Sequence, residues 1–186
     1  MTNHIKQLNS LSQYKMQLTD LLDLCIKSGA SLGFKTDVDK QQLTTYWEEI
    51  NTQLQNRMFL GYFINNTLVG CVHYTRCQKQ NGLHRAEIEK LLVHPQYQRL
   101  GIASALMHSI EREATKQSIE LLVLDTQTGD KSEYFYQKIK YTKSGEIPHF
   151  VSDNNGVFFG TSYYFKILLP TSQINKTPCD VASLIT

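Results

Sequence analysis

Apolar positions along the chain recur with two different periods, and the switches between them mark out the elements. Leu18, Leu22 and Cys25 recur at helical spacing up to Gly29. Leu43, Tyr46, Trp47, Ile50 and Leu54 do so again, after a Thr36-Asp37 pair able to cap a helix. The pattern predicts a short first strand followed by two amphipathic helices. Residues 57–64 and 67–77 are rich in Phe, Tyr, Val and Leu and are separated by Asn65-Asn66, whose side chains tolerate a tight turn, so they read as a β-hairpin.

Residues 85–93 form a further strand, and 101–116 a helix with Ile102, Leu106, Ile110 and Ala114 on one stripe. Residues 120–126 return to strand, which completes a βαβ unit. Strands joined in this way lie parallel, so 85–93 and 120–126 are expected side by side, carboxyl ends together, with a ligand crevice at those ends. A helix over 130–139 and strand-like segments at 141–147 and 157–169 close the pattern. The expected fold is α/β (α+β): a mixed, mainly antiparallel twisted sheet with a central parallel βαβ unit and helices on both faces.

Composition narrows the function classes. At 186 residues and 41% hydrophobic content the chain is expected to form one domain over 1–169, with a polar tail over 170–186. Nineteen basic against seventeen acidic residues are dispersed along the chain, which argues against a nucleic-acid partner. The N-terminus is polar and no apolar run approaches the roughly 18 residues of a membrane span, so a cytoplasmic protein without a membrane partner is expected. Cys25, Cys71, Cys77 and Cys179 lie far apart without CxxC spacing and read as reduced thiols. The six histidines show no metal-ligand spacing, and no metal is expected.

The densest chemical signal is the turn Gln98-Arg99-Leu100-Gly101-Ile102-Ala103, where a strand ends near Pro95 and a helix opens on a glycine. First-turn N–H groups of a helix have no partner within it and carry the positive end of the helix dipole, which suits a diphosphate. Gly101 and Ala103 keep the surface low, and Arg99 can add a charge-assisted hydrogen bond. A plain strand-to-helix turn can also use Gly. The GxGxxG fingerprint is absent, as is the Gly-Lys-Ser/Thr of a P-loop.

These residues resemble the GNAT superfamily of acyl-CoA-dependent N-acyltransferases, whose hallmark Gln/Arg-x-x-Gly-x-Gly/Ala is matched by Gln98 to Ala103. Lys90-Leu91-Leu92-Val93-His94-Pro95 looks like the fourth strand of that family, and Phe135-Tyr136 through Tyr141 like the end of its fourth helix. The resemblance covers roughly residues 57–168. Arg85-Ala86-Glu87, Leu124-Asp125-Thr126 with Gly129, Gly145-Glu146-Ile147-Pro148 and Tyr164-Phe165-Lys166 look like the tabtoxin-resistance subgroup. Two positions depart from the family: Gly129 stands where Asn is frequent, and Lys140 where a helix-ending glycine is usual.

The resemblance implies acetyl-CoA as cosubstrate, its diphosphate held by Gln98, Arg99, Leu100, Gly101, Ile102, Ala103 and Ser104. Backbone groups of Leu92 and Val93 would serve the pantetheine arm and the oxyanion. It also implies Tyr136 as general acid toward the leaving sulfur, the other reading being that Tyr134, Phe135 and Tyr136 form an aromatic core stripe. Glu87 and Asp125 are carried over as base or ammonium anchor. Alternation puts Glu89 on the same strand face as Glu87, and the sequence does not choose among the three. Tyr46, Trp47, His149 and Phe158 could line the acceptor cleft or pack in the core. The expected activity is acetyl transfer to a small-molecule amine, possible targets being a toxin or antibiotic, by a monomer or homodimer. Protein or peptide N-acetylation and a non-catalytic CoA-binding sensor are the alternatives.

Overall fold

The structure is a computed structural model and describes residues 2–168. The expected tail over 170–186, with Cys179 in it, lies outside the described residues, as do Met1 and Leu169. The elements run β1 (Asn3–Gln7), α1 (Lys15–Lys27), α2 (Lys40–Thr52), β2 (Arg57–Ile64), β3 (Thr67–Arg76) and β4 (Arg85–Val93). They continue with α3 (Ile102–Lys116), β5 (Leu121–Gln127), α4 (Lys131–Lys138), β6 (Thr142–Ser152) and β7 (Phe158–Ile167). One seven-stranded sheet has the order β1-β2-β3-β4-β5-β7-β6. Among the described residues only β4 and β5 pair in parallel, and every other neighbour is antiparallel.

Each face of the sheet carries its own core. On one, Val72, Tyr74, Ala86, Ile88, Leu122, Leu124 and Tyr164 pack with the expected α3 stripe of Ile102, Leu106, Ile110 and Ala114, and with Tyr136 of α4. On the other, Phe59, Phe63, Cys71 and Leu92 meet Leu18, Leu22, Cys25, Leu43 and Trp47 of the two N-terminal helices. Cys25 and Cys71 are buried free thiols and Cys77 is a half-buried one. None of the described helices is long and apolar enough to cross a membrane.

Three local expectations are corrected. The cap of α2 is Asp39, not Thr36-Asp37: its carboxylate accepts from the Gln42 N–H at 2.9 Å while the Gln42 side chain accepts from the Asp39 N–H at 3.3 Å. This reciprocal box satisfies two orphan donors, one turn before the first buried residue, Leu43. Leu54 falls beyond the helix, in a short 3-10 turn. The strand expected over 141–147 runs on to Ser152, because β6 is the edge of the sheet, where a missing Pro148 N–H is tolerated and left-handed His149 (φ 57°) sits in a bulge.

The hairpin turn forms as read, with Asn65 and Asn66 both left-handed at φ 48° and 66°. Lys140 is also left-handed (φ 71°), directly after α4, where its N–H reaches the Gln137 carbonyl at 3.0 Å and the Tyr141 N–H reaches that of Tyr136 at 2.9 Å. The helix thus ends as it would on a glycine. A left-handed non-glycine residue costs about 1–2 kcal/mol, and glycine loses about 0.5–1 kcal/mol of extra chain entropy on folding. Lys140→Gly is therefore expected to raise stability by about 0.5–1 kcal/mol in urea unfolding.

Candidate active site

The turn before α3 presents donors that no described residue satisfies. Gly101 is the N-cap residue at φ 81° and no side chain caps the helix. The first helical bond runs from the Ala105 N–H to the Gly101 carbonyl at 2.9 Å, so the N–H groups before it have no intrahelical partner. Arg99 is left-handed as well (φ 62°), and alternating backbone handedness turns successive N–H groups into one concavity, a shape that binds anions. A Cβ at Gly101 would meet nothing within 4 Å, so its dihedral, not crowding, is what calls for glycine. Gln98, Arg99 and Leu100 are exposed, while Ala103 and Ser104 are half-buried. Ile102 is buried, so only its backbone faces outward.

The strand leading to this turn is bent. Glu89 pairs with His73 and Leu92 with Cys71, leaving Lys90 and Leu91 opposite the single residue Val72, a β-bulge with Lys90 at φ 50°. Beyond the bulge β4 stays with β3, and β5 stays with β7 along its whole length. The parallel pairing covers only Arg85, Ala86 and Glu87 against Leu121, Leu122 and Val123. The carboxyl ends expected side by side therefore separate, and the crevice is the gap between them. Leu92 is buried, and the Val93 carbonyl is approached by the Gln98 amide at 3.4 Å and the Cys25 thiol at 3.5 Å.

The three carboxylates left open by the sequence are in different circumstances. All lie on the face opposite Ala86, Ile88, Leu122 and Leu124. Glu89 is engaged: Arg57 Nη1 is 2.9 Å away, the Thr75 hydroxyl donates to it, and Arg57 also meets His73 Nδ1 at 3.3 Å. Asp125 accepts from the Thr161 hydroxyl at 2.9 Å. Among the described residues no hydrogen bond or ion pair holds Glu87. Burial, and then the charges of Glu89 and Asp125, push its carboxyl above the usual range. The structure also brings up Lys90, which the sequence reading did not single out because alternation places residue 90 on the other face. Its ammonium lies over the rings of Phe34 (5.8 Å) and Tyr46 (5.2 Å).

Tyr136 sits on the α3 side, 8% exposed, with Tyr141 and Tyr164 at ring distances of 6.0 and 6.1 Å. Burial, followed by the carboxylates of Asp125 and Asp130, holds its hydroxyl well above the ordinary phenol range. Tyr134 is 73% exposed, so the three aromatic residues are no uniform core stripe. Of the other cleft candidates Trp47 is fully buried, Tyr46 is half-buried beside Lys90, and His149 stacks on exposed Phe158 at 5.2 Å. The Thr36 N–H donates to Asn154 Oδ1 at 3.2 Å, tying the α1–α2 connection to the β6–β7 tip. A cavity of about 650 Å³ is lined by His84, Glu120, Leu121, Val123, Tyr163 and Phe165, and two of these, Val123 and Tyr163, are the strand partners of Glu87 and Asp125.

At Gly129, where the family often has Asn, the backbone N–H donates to Glu133 at 2.6 Å. Glu133 also accepts from the Tyr164 hydroxyl at 2.5 Å and pairs with Lys143 at 3.3 Å, which braces α4, and Tyr136 with it, against β6 and β7.

Comparison with known proteins bears on the family and the fold. The acetyltransferase (GNAT) family model matches residues 23–141. Among solved structures, an acetyltransferase of the GNAT family from Streptococcus pneumoniae is 18% identical with a TM-score of 0.74, covering 89% of this chain and 99% of its own. Ribosomal-protein-alanine N-acetyltransferase from Brucella melitensis is 15% identical, TM-score 0.74, with coverage of 89% and 99%. The yncA protein of Salmonella typhimurium, solved with its cofactor acetyl-CoA, is 15% identical, TM-score 0.71, with coverage of 91% and 95%. At these identities the likeness is one of fold.

Partial burial alone would raise the Glu133 carboxyl, but its hydrogen bonds to Tyr164, Gly129 and Lys143 outweigh that and hold it at about 2 instead of 4.5. A depressed acid stabilises the fold above its unfolded pKa and loses that contribution as pH falls through the folded one. Glu133→Gln is expected to cost about 1–2 kcal/mol at pH 7. The gap from the wild type, followed by denaturant unfolding, should close between about pH 4.5 and pH 2.

Proposed function

The chain belongs to the acetyltransferase (GNAT) family and is thus an acyltransferase, and we propose that it moves an acetyl group from acetyl-CoA to the primary amine of a small molecule. The observation that carries this reading is the uncapped start of α3, opening at the end of the sheet where β4 and β5 part. Its free N–H groups and the exposed Arg99 suit the diphosphate of acetyl-CoA. Residues 1–169 act in this reading as one acyltransferase domain. The tie between Thr36 and Asn154 favours a small acceptor, because it bridges the face on which Glu87, Asp125 and Lys90 lie. The sequence likeness to the tabtoxin-resistance subgroup points the same way, toward an amine-bearing toxin or antibiotic.

An amine with a pKa of about 10.4 arrives as ammonium. Glu87 anchors it and, with its raised pKa, takes a proton; Asp125 adds to the local negative potential. The nitrogen attacks the thioester carbonyl, a C–N bond forms, and the C–S bond breaks. Of the two protons the ammonium gives up, one ends on the thiol and one in solvent. Tyr136 faces this reaction from the opposite side of the sheet, through the gap between β4 and β5. Because its hydroxyl is held above the phenol range and a thiol has a pKa of about 8.5, full transfer from Tyr136 is uphill. Its role is to donate a hydrogen bond to the departing sulfur as charge develops there.

Acetyl-CoA at about 100 times its dissociation constant should stabilise the protein by roughly 2.7 kcal/mol in a thermal melt. Gly101→Val, which strains the left-handed cap, should abolish the shift. No shift with millimolar acetyl-CoA would sink the reading. In a thiol-release assay over an amine panel, Tyr136→Phe is expected to lower kcat roughly 100-fold with little change in the KM of acetyl-CoA. Glu87→Gln should lower kcat/KM by at least about 100-fold and remove an acidic limb lying above pH 4.5. Acetylation of peptides in preference to every small amine would favour the protein acceptor, and binding without turnover the sensor.

A further inference from the structure

Lys90 is a charged group at the crevice for which acetyl transfer has no use. The bulge that contains it makes two consecutive side chains, Glu89 and Lys90, emerge on the face covered by α1 and α2, with the parity of the strand reversed beyond them: Ile88 packs on the α3 side, whereas Leu92 packs against the N-terminal helices. Lys90 takes a left-handed backbone (φ 50°) to reach that position, a conformation that costs a non-glycine residue free energy. Its ammonium is half-buried between Phe34 and Tyr46, and a Cβ added to Gly33 would stand 3.9 Å from Nζ, so the α1–α2 connection passes over it.

Among the described residues no carboxylate lies within 4.0 Å of Lys90. Its sequence neighbour Glu89 is taken by Arg57 and Thr75, and Asp125 stands across the crevice, held by Thr161. Burial accordingly pushes the ammonium below the usual lysine range. The faces of Phe34 and Tyr46 offset part of that cost, but a desolvated charge without a counter-ion is one that folding alone does not fully return. The same wall thus holds a positive group and, apart from it, the negative Glu87 and Asp125, without the two signs neutralising each other. That pattern is complementary to a ligand carrying both charges.

We propose that Lys90 anchors a carboxylate of the acceptor, so that the acceptor is an amino-acid-like molecule whose amine faces Glu87 and Asp125 while its carboxylate faces Lys90. One ammonium between two aromatic rings, without an arginine fork, suits a singly charged carboxylate better than a phosphate. This inference rests on the acetyl-transfer reading and specifies which amines it serves.

The test compares each of the twenty L-amino acids with its amide as acceptor at saturating acetyl-CoA, in wild type, K90M and K90R. The expected result is that the free acid of the preferred acceptor has a KM at least about tenfold below that of its amide in the wild type. K90M should bring that ratio close to one, and K90R should restore the preference. K90M should also melt no lower than the wild type, since it removes an unpaired ammonium and keeps an apolar stem of similar size under Phe34 and Tyr46. A ratio that K90M leaves unchanged, a preference for the amide, or a clearly lower melting temperature for K90M would overturn the anchor. If acetyl-CoA raises the melting temperature and amines are acetylated but no free amino acid is, the anchor is wrong and acetyl transfer stands. Absence of any acetyl-CoA shift overturns both.

Discussion

The parting of β4 from β5 is the constraint on which the rest of the site depends. A parallel pair with a crossover helix would normally keep its ladder to the carboxyl ends, where every backbone group has a partner. Here the ladder stops after Glu87 and Val123, because the bulge at Lys90 bends β4 toward β3 while β5 remains zipped to β7. The sheet itself would otherwise be a wall between its two cores. Tyr136 belongs to the α3 core, and Glu87 and Asp125 lie on the opposite face. In the proposed reaction the gap would let groups on opposite faces act together, and it opens beside the uncapped start of α3.

The elements around the gap are braced by polar contacts that leave Glu87 and Lys90 out. Thr75 and Arg57, which also meets His73, occupy Glu89, and Thr161 holds Asp125. Tyr164, Gly129 and Lys143 occupy Glu133 and fix α4. Among the described residues Glu87 is left without a partner, beside carboxylates that raise its pKa, and Lys90 without a counter-ion. The contrast between satisfied neighbours and unsatisfied crevice groups is the usual signature of a site where stability has yielded to chemistry.

Much of this was legible before the fold was known. The boundaries of β2 and β4 were readable to the residue, because alternation of apolar side chains and the Asn65-Asn66 turn mark them on the chain itself. The α3 stripe was readable for the same reason, as was the glycine turn that opens that helix. The cap of α2 was misplaced by two residues, since several side chains near it could cap and only the reciprocal bond between Asp39 and Gln42 decides. The far half of β6 was missed because Pro148 argues against a strand unless that strand is known to be an edge.

The sequence by itself determined the order of elements, the phosphate-type turn and a short list of acidic candidates, because each of these is written in local spacing and residue type. It could not rank Glu87, Glu89 and Asp125, because what separates them is Arg57, Thr75 and Thr161, distant in sequence and brought close only by strand register. Nor could it find Lys90, which simple alternation assigns to the wrong face. A bulge shifts side-chain parity by one residue, and whether a strand bulges is decided by its pairing with neighbours, so that feature belongs to the tertiary structure alone.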